Sequence, residues 1–173
     1  MNKIPERLND FRAYRDGTND LLGVVEVTLP ALQALTETVS GAGIAGEFES
    51  PTLGQFQSMK VGLNWRTVTS DQVKLSRQQA QRLDLRGANQ IYDAATGKYS
   101  IKPIRVVVQG PPTNNELGKL AKNSTSDGST EIEVLYLKIQ IEDKTVVEID
   151  KLNYICIIDG VDYLKETRKA LGL

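Results

Sequence analysis

Residues Glu131 to Glu142, EIEVLYLKIQIE, alternate apolar and polar side chains at period two, which is β-strand behaviour. The two faces grade in opposite directions. Ile132, Val134 and Tyr136 share one face with Lys138, Gln140 and Glu142, while Glu131 and Glu133 share the other with Leu135, Leu137, Ile139 and Ile141. Each face is apolar along only part of its length, so two different surfaces have to cover it. At roughly 3.3 Å per residue this stretch spans about 40 Å, against a usual strand of about 5–6 residues. Read as one strand, it outruns the core of a small domain, and its second apolar face requires a partner. Leu135, Leu137, Ile139 and Ile141 are therefore candidate subunit-interface residues.

The 173 residues, 40% hydrophobic and 25% charged, suit a single domain spanning 1–173 with a sizeable core. Twenty-one basic and 22 acidic residues leave a net charge of −1, unlike the basic footprint of a protein that grips nucleic acid. No run of 18 apolar residues is present, which argues against membrane partners. The N-terminus, MNKIPERLNDF, lacks the apolar stretch of a signal peptide, so folding is expected in the cytoplasm.

The absence of histidine removes the commonest general base, the usual triads and most zinc sites. The single cysteine, Cys156, lies in the apolar run Tyr154–Ile158 and reads as an inert packing thiol. No cofactor, metal or catalytic constellation is expected.

Along the chain, Phe11–Asp16 and Leu21–Leu29 flank the turn cluster Gly17-Thr18-Asn19-Asp20 and read as a hairpin. Another strand is expected within Ala31–Ser40, followed by a glycine-rich loop to Gly46 and a second loop at Ser50–Gly54. Met59, Val61, Leu63 and Trp65 alternate with polar or small residues and form the clearest half-buried strand. Ser70 can cap a short helix running to about Gln78 and carrying Val73 and Arg77. Arg82–Asp93 places Leu83, Leu85 and Ile91 on one face and Arg82, Asp84, Arg86 and Gln90 on a wet face. Lys98–Gln109 is a further strand. Gly110–Ser129 reads as a polar loop, with one helical turn near Glu116–Lys122. Strands at Val146–Asp150 and Tyr154–Ile158 precede a terminal helix starting at Asp159 or Asp162 and ending at Gly172. The fold class is mainly β: a sandwich or small barrel with one flanking short helix and a C-terminal helix.

Two motifs imitate chemistry. Gly41, Gly43 and Gly46 spell G-x-G-x-x-G, but a dinucleotide site needs a helix opening at the last glycine, and Glu47-Phe48-Glu49-Ser50-Pro51 cannot supply one. Glu148 and Asp150 share a strand face about 6.6 Å apart by strand rise. Carboxylates at such a distance occur in glycosidases; without an aromatic platform, a solvated or interface-facing edge is the simpler reading.

Three segments, in order, resemble one family. Phe11-Arg-Ala-Tyr-Arg-Asp-Gly is followed by VVEVTLPAL at 24–32 and by Gly41-Ala42-Gly43. Arg82–Asp93 comes next, after a short helix. Val147-Glu148-Ile149-Asp150 then leads to Asp159-Gly160-Val161-Asp162-Tyr163-Leu164, Arg168 and a terminal Leu171-Gly172-Leu173. In this combination the chain resembles the major tail tube proteins of contractile-tailed phages, a family that also supplies R-type pyocin-like particles.

The resemblance implies a non-enzymatic, self-assembling subunit. Six copies would form a ring with a continuous inner β-barrel, and rings would stack into the inner tube of a virion tail or tailocin, assembled in a bacterial cytoplasm. The tube would be a conduit for DNA, present only as passing cargo, or a puncturing needle. Its partners would be further copies, a contractile sheath protein, and tape-measure, baseplate and tail-terminator proteins. Arg82, Asp84, Arg86 and Gln90 become candidate lumen residues. The Gly41–Gly46 loop, with Gly41, Gly43 and Gly46, and the Gly110–Ser129 loop become candidates for ring-to-ring contact. The alternatives are a type VI secretion-like tube subunit and a monomeric ligand-binding β domain.

Overall fold

The computed structural model describes residues 3–16 and 19–173. In chain order the elements are β1 (Lys3–Arg15), β2 (Asn19–Asp20), β3 (Val24–Thr28), β4 (Ala34–Ser40), β5 (Glu47–Phe56), β6 (Lys60–Trp65), α1 (Ser70–Lys74) and β7 (Gln81–Asp93). They continue as β8 (Lys98–Gly110), β9 (Pro112–Glu116), β10 (Gly128–Glu133), β11 (Tyr136–Ile141), β12 (Lys144–Asp150), β13 (Ile155–Ile158), β14 (Val161–Asp162) and α2 (Lys165–Leu171). One antiparallel sheet has eight strands in the order β14-β13-β12-β11-β8-β7-β1-β2. A second has four, β3-β6-β10-β9, and β4–β5 form a separate hairpin.

The core lies between the two larger sheets. The alternation of β6 turns Val61, Leu63 and Trp65, with Met59 just before it, toward Leu83, Val106, Val108, Leu137 and Ile149 of the large sheet. Burying side chains of this size contributes about 1.5–3 kcal/mol each before entropy is counted. Trp65 keeps its indole N–H satisfied by donating to Thr130 Oγ1 at 3.0 Å, and that hydroxyl donates to Asn115 Oδ1 at 2.9 Å.

The apparent long strand at Glu131–Glu142 is two strands in two sheets. The chain switches at Val134-Leu135, between β10 of the small sheet and β11 of the large one. The inward parity flips with it: Ile132 and Val134 point into the core on one side of the break and Leu137 on the other, all three fully buried. Backbone satisfaction persists through the switch, because Val134 N donates to Met59 O at 2.7 Å and Leu135 N to Gln109 O at 3.0 Å. The opposed gradients therefore need no second molecule. One chain supplies both covering surfaces.

Other expectations are corrected too. β1 pairs mainly with β7, returns through β2 for two residues only, and β3 belongs to the other sheet, so there is no Phe11–Leu29 hairpin. The turn residues Gly17 and Thr18 lie outside the described residues. Ser50–Gly54 runs within β5; Pro51 is tolerated because β5 pairs on one side only, with β4. Helix α1 stops at Lys74, and its cap is Thr69, whose Oγ1 accepts from Gln72 N at 3.1 Å. In place of a helical turn near Glu116–Lys122, the polar segment forms β9 against β10. A Cβ at Gly118 (φ +83°) would sit 2.0 Å from Ser126 O, so the chain folds back there tightly. Asp162 falls in β14, and α2 starts only at Lys165, although Gly172 closes it in the left-handed conformation as expected.

Candidate functional site

The residues that imitate catalysis have structural duties. Glu148 Oε1 accepts from the Tyr136 hydroxyl at 2.9 Å, and burial followed by that carboxylate pushes the Tyr136 hydroxyl up to about 12. Asp150 Oδ1 takes the backbone N–H groups of Leu152 and Asn153, both at 3.0 Å, fixing the turn after β12. Cys156 is fully buried, and burial raises its thiol, which disfavours the thiolate needed for attack. Gly41, Gly43 and Gly46 occupy the β4–β5 turn and lead into a strand. No cluster of three metal-ligating side chains occurs among the described residues.

What remains are faces and edges. Strand β7 turns Leu83 and Leu85 into the core, so Arg82, Asp84, Arg86 and Gln90 lie on the outer face of the eight-stranded sheet. This row is more than a wet face, because Asp84 is only 1% exposed. Arg105 donates Nε–H to its Oδ1 at 2.9 Å and Nη2–H to Oδ2 at 2.8 Å; Arg86 donates Nη2–H to Oδ2 at 2.7 Å. The Arg86 guanidinium also sits 4.7 Å from the centre of the Tyr14 ring. Burial pushes the Asp84 carboxyl up, but the hydrogen bonds from Arg105 and Arg86 outweigh it and hold it below the usual carboxylate range. One buried carboxylate thus offsets one of two surface arginines. Farther out, Gln90 Nε2 donates to Glu6 Oε2 at 2.8 Å.

Register exposes the edges. Beyond Tyr14 and Arg15, which meet β2, strand β1 pairs only with β7. Strand β11 covers β8 from Ile104 to Gln109, and Glu142 N still donates to Pro103 O at 3.0 Å, leaving Lys98–Lys102 without a partner strand on that side among the described residues. β1, β7 and β8 therefore project as a three-stranded tongue with two open edges. Its apolar side chains Ile4, Leu8, Tyr99 and Ile101 are exposed. An apolar groove of about 370 Å³ lies between the tongue and β3, walled by Leu8, Phe11, Ile104, Val25 and Leu29.

Of the four strand residues proposed for an interface, Leu137 belongs to the subunit's own core, and Leu135 and Ile139 are half-buried. Only Ile141, 42% exposed, presents much surface. The three glycines are exposed, and a Cβ at any of them would meet nothing within 4 Å. Sequence reasoning missed the first half of β1 and the groove. Two register shifts, at Pro5/Arg7 and Leu8/Asp10, break the period-two signal there.

Comparison with known proteins supplies the identity of this architecture. A model of the phage tail tube protein FII family matches residues 5–172. The major tail tube protein of Serratia phage KSP20 is 27% identical over 171 residues, 98% of each chain. The tail tube protein of Escherichia phage P2 is 24% identical over 174 residues, 98% of this chain and 99% of its own. Among solved structures, the sheath/tube terminator of an extracellular contractile injection system, PVC, in its extended state shares the fold. Its TM-score is 0.53 at 15% identity, over 79% of this chain and 96% of that one. The sheath-tube complex of the same system gives 0.51 at 16% identity, over 79% and 92%. With the match running from β1 to α2, this chain belongs to the phage tail tube protein FII family.

Proposed function

We propose that copies of this tail tube protein close into hexameric rings and that the rings stack into the hollow inner tube of a contractile tail. The family is structural rather than enzymatic, and the subunit is a component of the tail. The observation that carries the ring is the open edge of β1, ten residues from Lys3 to Arg12 that meet no second partner strand among the described residues. Such an edge is a template for pairing, and closure into a ring removes it. A ring of identical subunits needs two different surfaces on each. The β1 edge and the opposite half of the same sheet meet that need.

The outer face of the eight-stranded sheet is then the candidate lumen wall, with Arg82, Asp84, Arg86 and Gln90 on it. By offsetting one arginine charge, Asp84 keeps the wall from holding a passing polyanion. Ile141, with Leu135 and Ile139 beside it, flanks the joint, while Leu137 contributes only by packing the strand. Segments Gly41–Gly46 and Gly110–Ser129 face the next ring. Sheath, tape-measure, baseplate and terminator proteins are the partners this role requires. The tube would carry DNA in a virion or act as the needle of a DNA-free particle.

Negative-stain microscopy of the concentrated protein tests the reading. Hollow six-fold annuli or striated tubes are expected. A particle that keeps the mass of one 19.1 kDa chain at every concentration would overturn it.

A further inference from the structure

Two stretches of the eight-stranded sheet meet no further strand among the described residues, and the ladder fixes which backbone groups they present. Leu21 N donates to Ala13 O at 2.8 Å, so Ala13 turns its backbone groups away from β7. The alternation of β7 carries that phase along β1. The residues opposite Leu85, Gly87, Asn89 and Ile91, which are Ala13, Phe11, Leu8 and Pro5, all face away from β7. Proline has no N–H to offer there, and the Phe11 N–H is already held by Asp10 Oδ1 at 2.8 Å. Among its ladder-aligned residues the β1 edge is therefore richer in acceptors than in donors.

The step in β8 is its complement. Leu135 N donates to Gln109 O and Glu142 N to Pro103 O, both at 3.0 Å, so the odd-numbered residues of β8 face β11. Tyr99 and Ile101 continue that phase past the end of β11 and present N–H as well as C=O groups to the open side. The terminal strands of this sheet, β2 and β14, are two residues long each, which leaves the β8 step as the longest open stretch besides β1 among the described residues. The side chains agree with the backbone. Ile4, Tyr92 and Tyr99 stand in one cross-strand row, with the two tyrosine ring centres 5.1 Å apart, and Ile101 follows Tyr99 on the same face. Ile4, Tyr99 and Ile101 are each more than half exposed, so the row ends in uncovered apolar side chains at both edges of the tongue.

We infer that β1 of one copy adds to the Lys98–Lys102 step of β8 in the next, in line with β11, so that its carbonyls accept from the Tyr99 and Ile101 N–H groups and Ile4 comes to lie beside those two side chains. The inference rests on the self-assembly reading and names the strands that join. The joined edges lie on opposite sides of one three-stranded tongue, so the contact is head-to-tail and repeats from copy to copy. Pairing continues the sheet, which keeps each face on its own side and makes the apolar row continuous across the joint.

The test uses the full chain. Ile101→Pro removes an N–H that points away from β7, so the subunit ladder stays whole and wild-type circular dichroism is retained. Rings and tubes are lost, as read by negative-stain microscopy. Separately, Ile4→Cys combined with Tyr99→Cys or with Ile101→Cys yields a ladder of covalent oligomers on oxidising assembled material. Within one subunit β7 lies between these positions and holds them roughly 10 Å apart, beyond disulfide reach, and buried Cys156 gives no ladder in the parent. Ile4→Cys with Val161→Cys, at the β14 end of the sheet, gives none. Assembly of Ile101→Pro together with no ladder from either tongue pair, or a ladder from the Val161 pair instead, would overturn the pairing while leaving self-assembly intact. A parent chain that never assembles would overturn both.

Discussion

Asp84→Asn separates a solvated polar row from a built ion cluster. Asp84 is 1% exposed and accepts four hydrogen bonds from Arg86 and Arg105. The amide keeps the size and removes the charge, leaving two guanidinium groups around a neutral side chain. Breaking a fully buried pair costs about 3–5 kcal/mol. Here the arginine side chains are 49% and 43% exposed and regain water, so the loss falls to about 2 kcal/mol. For a chain of this length that lowers Tm by roughly 4–8 °C. Urea denaturation of the dispersed subunit, followed by circular dichroism, measures the loss directly, with the m-value unchanged. Because the folded-state carboxyl is held below its ordinary value, the contribution is fully present above the ordinary carboxylate range and drains as pH falls through the folded-state value. The wild-type advantage over the variant is therefore flat near neutrality and shrinks below about pH 4. A variant within about 0.5 kcal/mol of wild type at pH 7 would refute the cluster.

Leu137→Ala removes a fully buried side chain and costs about 2–5 kcal/mol of subunit stability. Ile141→Glu, on a surface position at the end of the same strand, leaves the subunit melting curve unchanged and lowers the yield of pelletable tube. If the two exchange effects, the division between core and joint is wrong. Thr69→Ala loses the α1 cap and costs about 1 kcal/mol by denaturant titration, whereas Ser70→Ala costs little. Amide hydrogen exchange at Gly41–Gly46 is fast in free subunits and slows in tubes; equal rates in both states would remove this turn from the ring-to-ring contact.

The parts of the fold legible in the sequence are those where one straight strand buries one face. Met59 to Trp65 reads correctly because every second residue enters the core and nothing interrupts the period. Glu131–Glu142 reads wrongly because the chain changes sheets at Val134-Leu135, two apolar residues that give no turn signal. The opposed gradients were real, and their cause was a parity flip within one subunit. The start of β1 escaped for a related reason, since each of its two bulges shifts the inward register by one residue. Asp84 looked solvated because Arg105, its main partner, lies 21 positions away on β8. No local pattern reports a pairing that only the sheet register creates.

That register also shows how so much open edge is compatible with the proposed assembly, which requires subunits that stay dispersed until they meet copies of themselves. Unpaired, flat, apolar edges aggregate indiscriminately. The β1 edge is neither flat nor uniformly apolar: two bulges distort it, and Lys3, Glu6, Arg7 and Asp10 interrupt its apolar side chains. A straight edge strand from an arbitrary protein would find its backbone groups out of step and its side chains facing charges of either sign. Only a neighbour whose spacing matches the bulges can make the full set of hydrogen bonds, which makes the irregularity a device for selecting partners. The irregularity that hid β1 from periodicity analysis is, on this argument, what restricts the edge to a copy of the same chain.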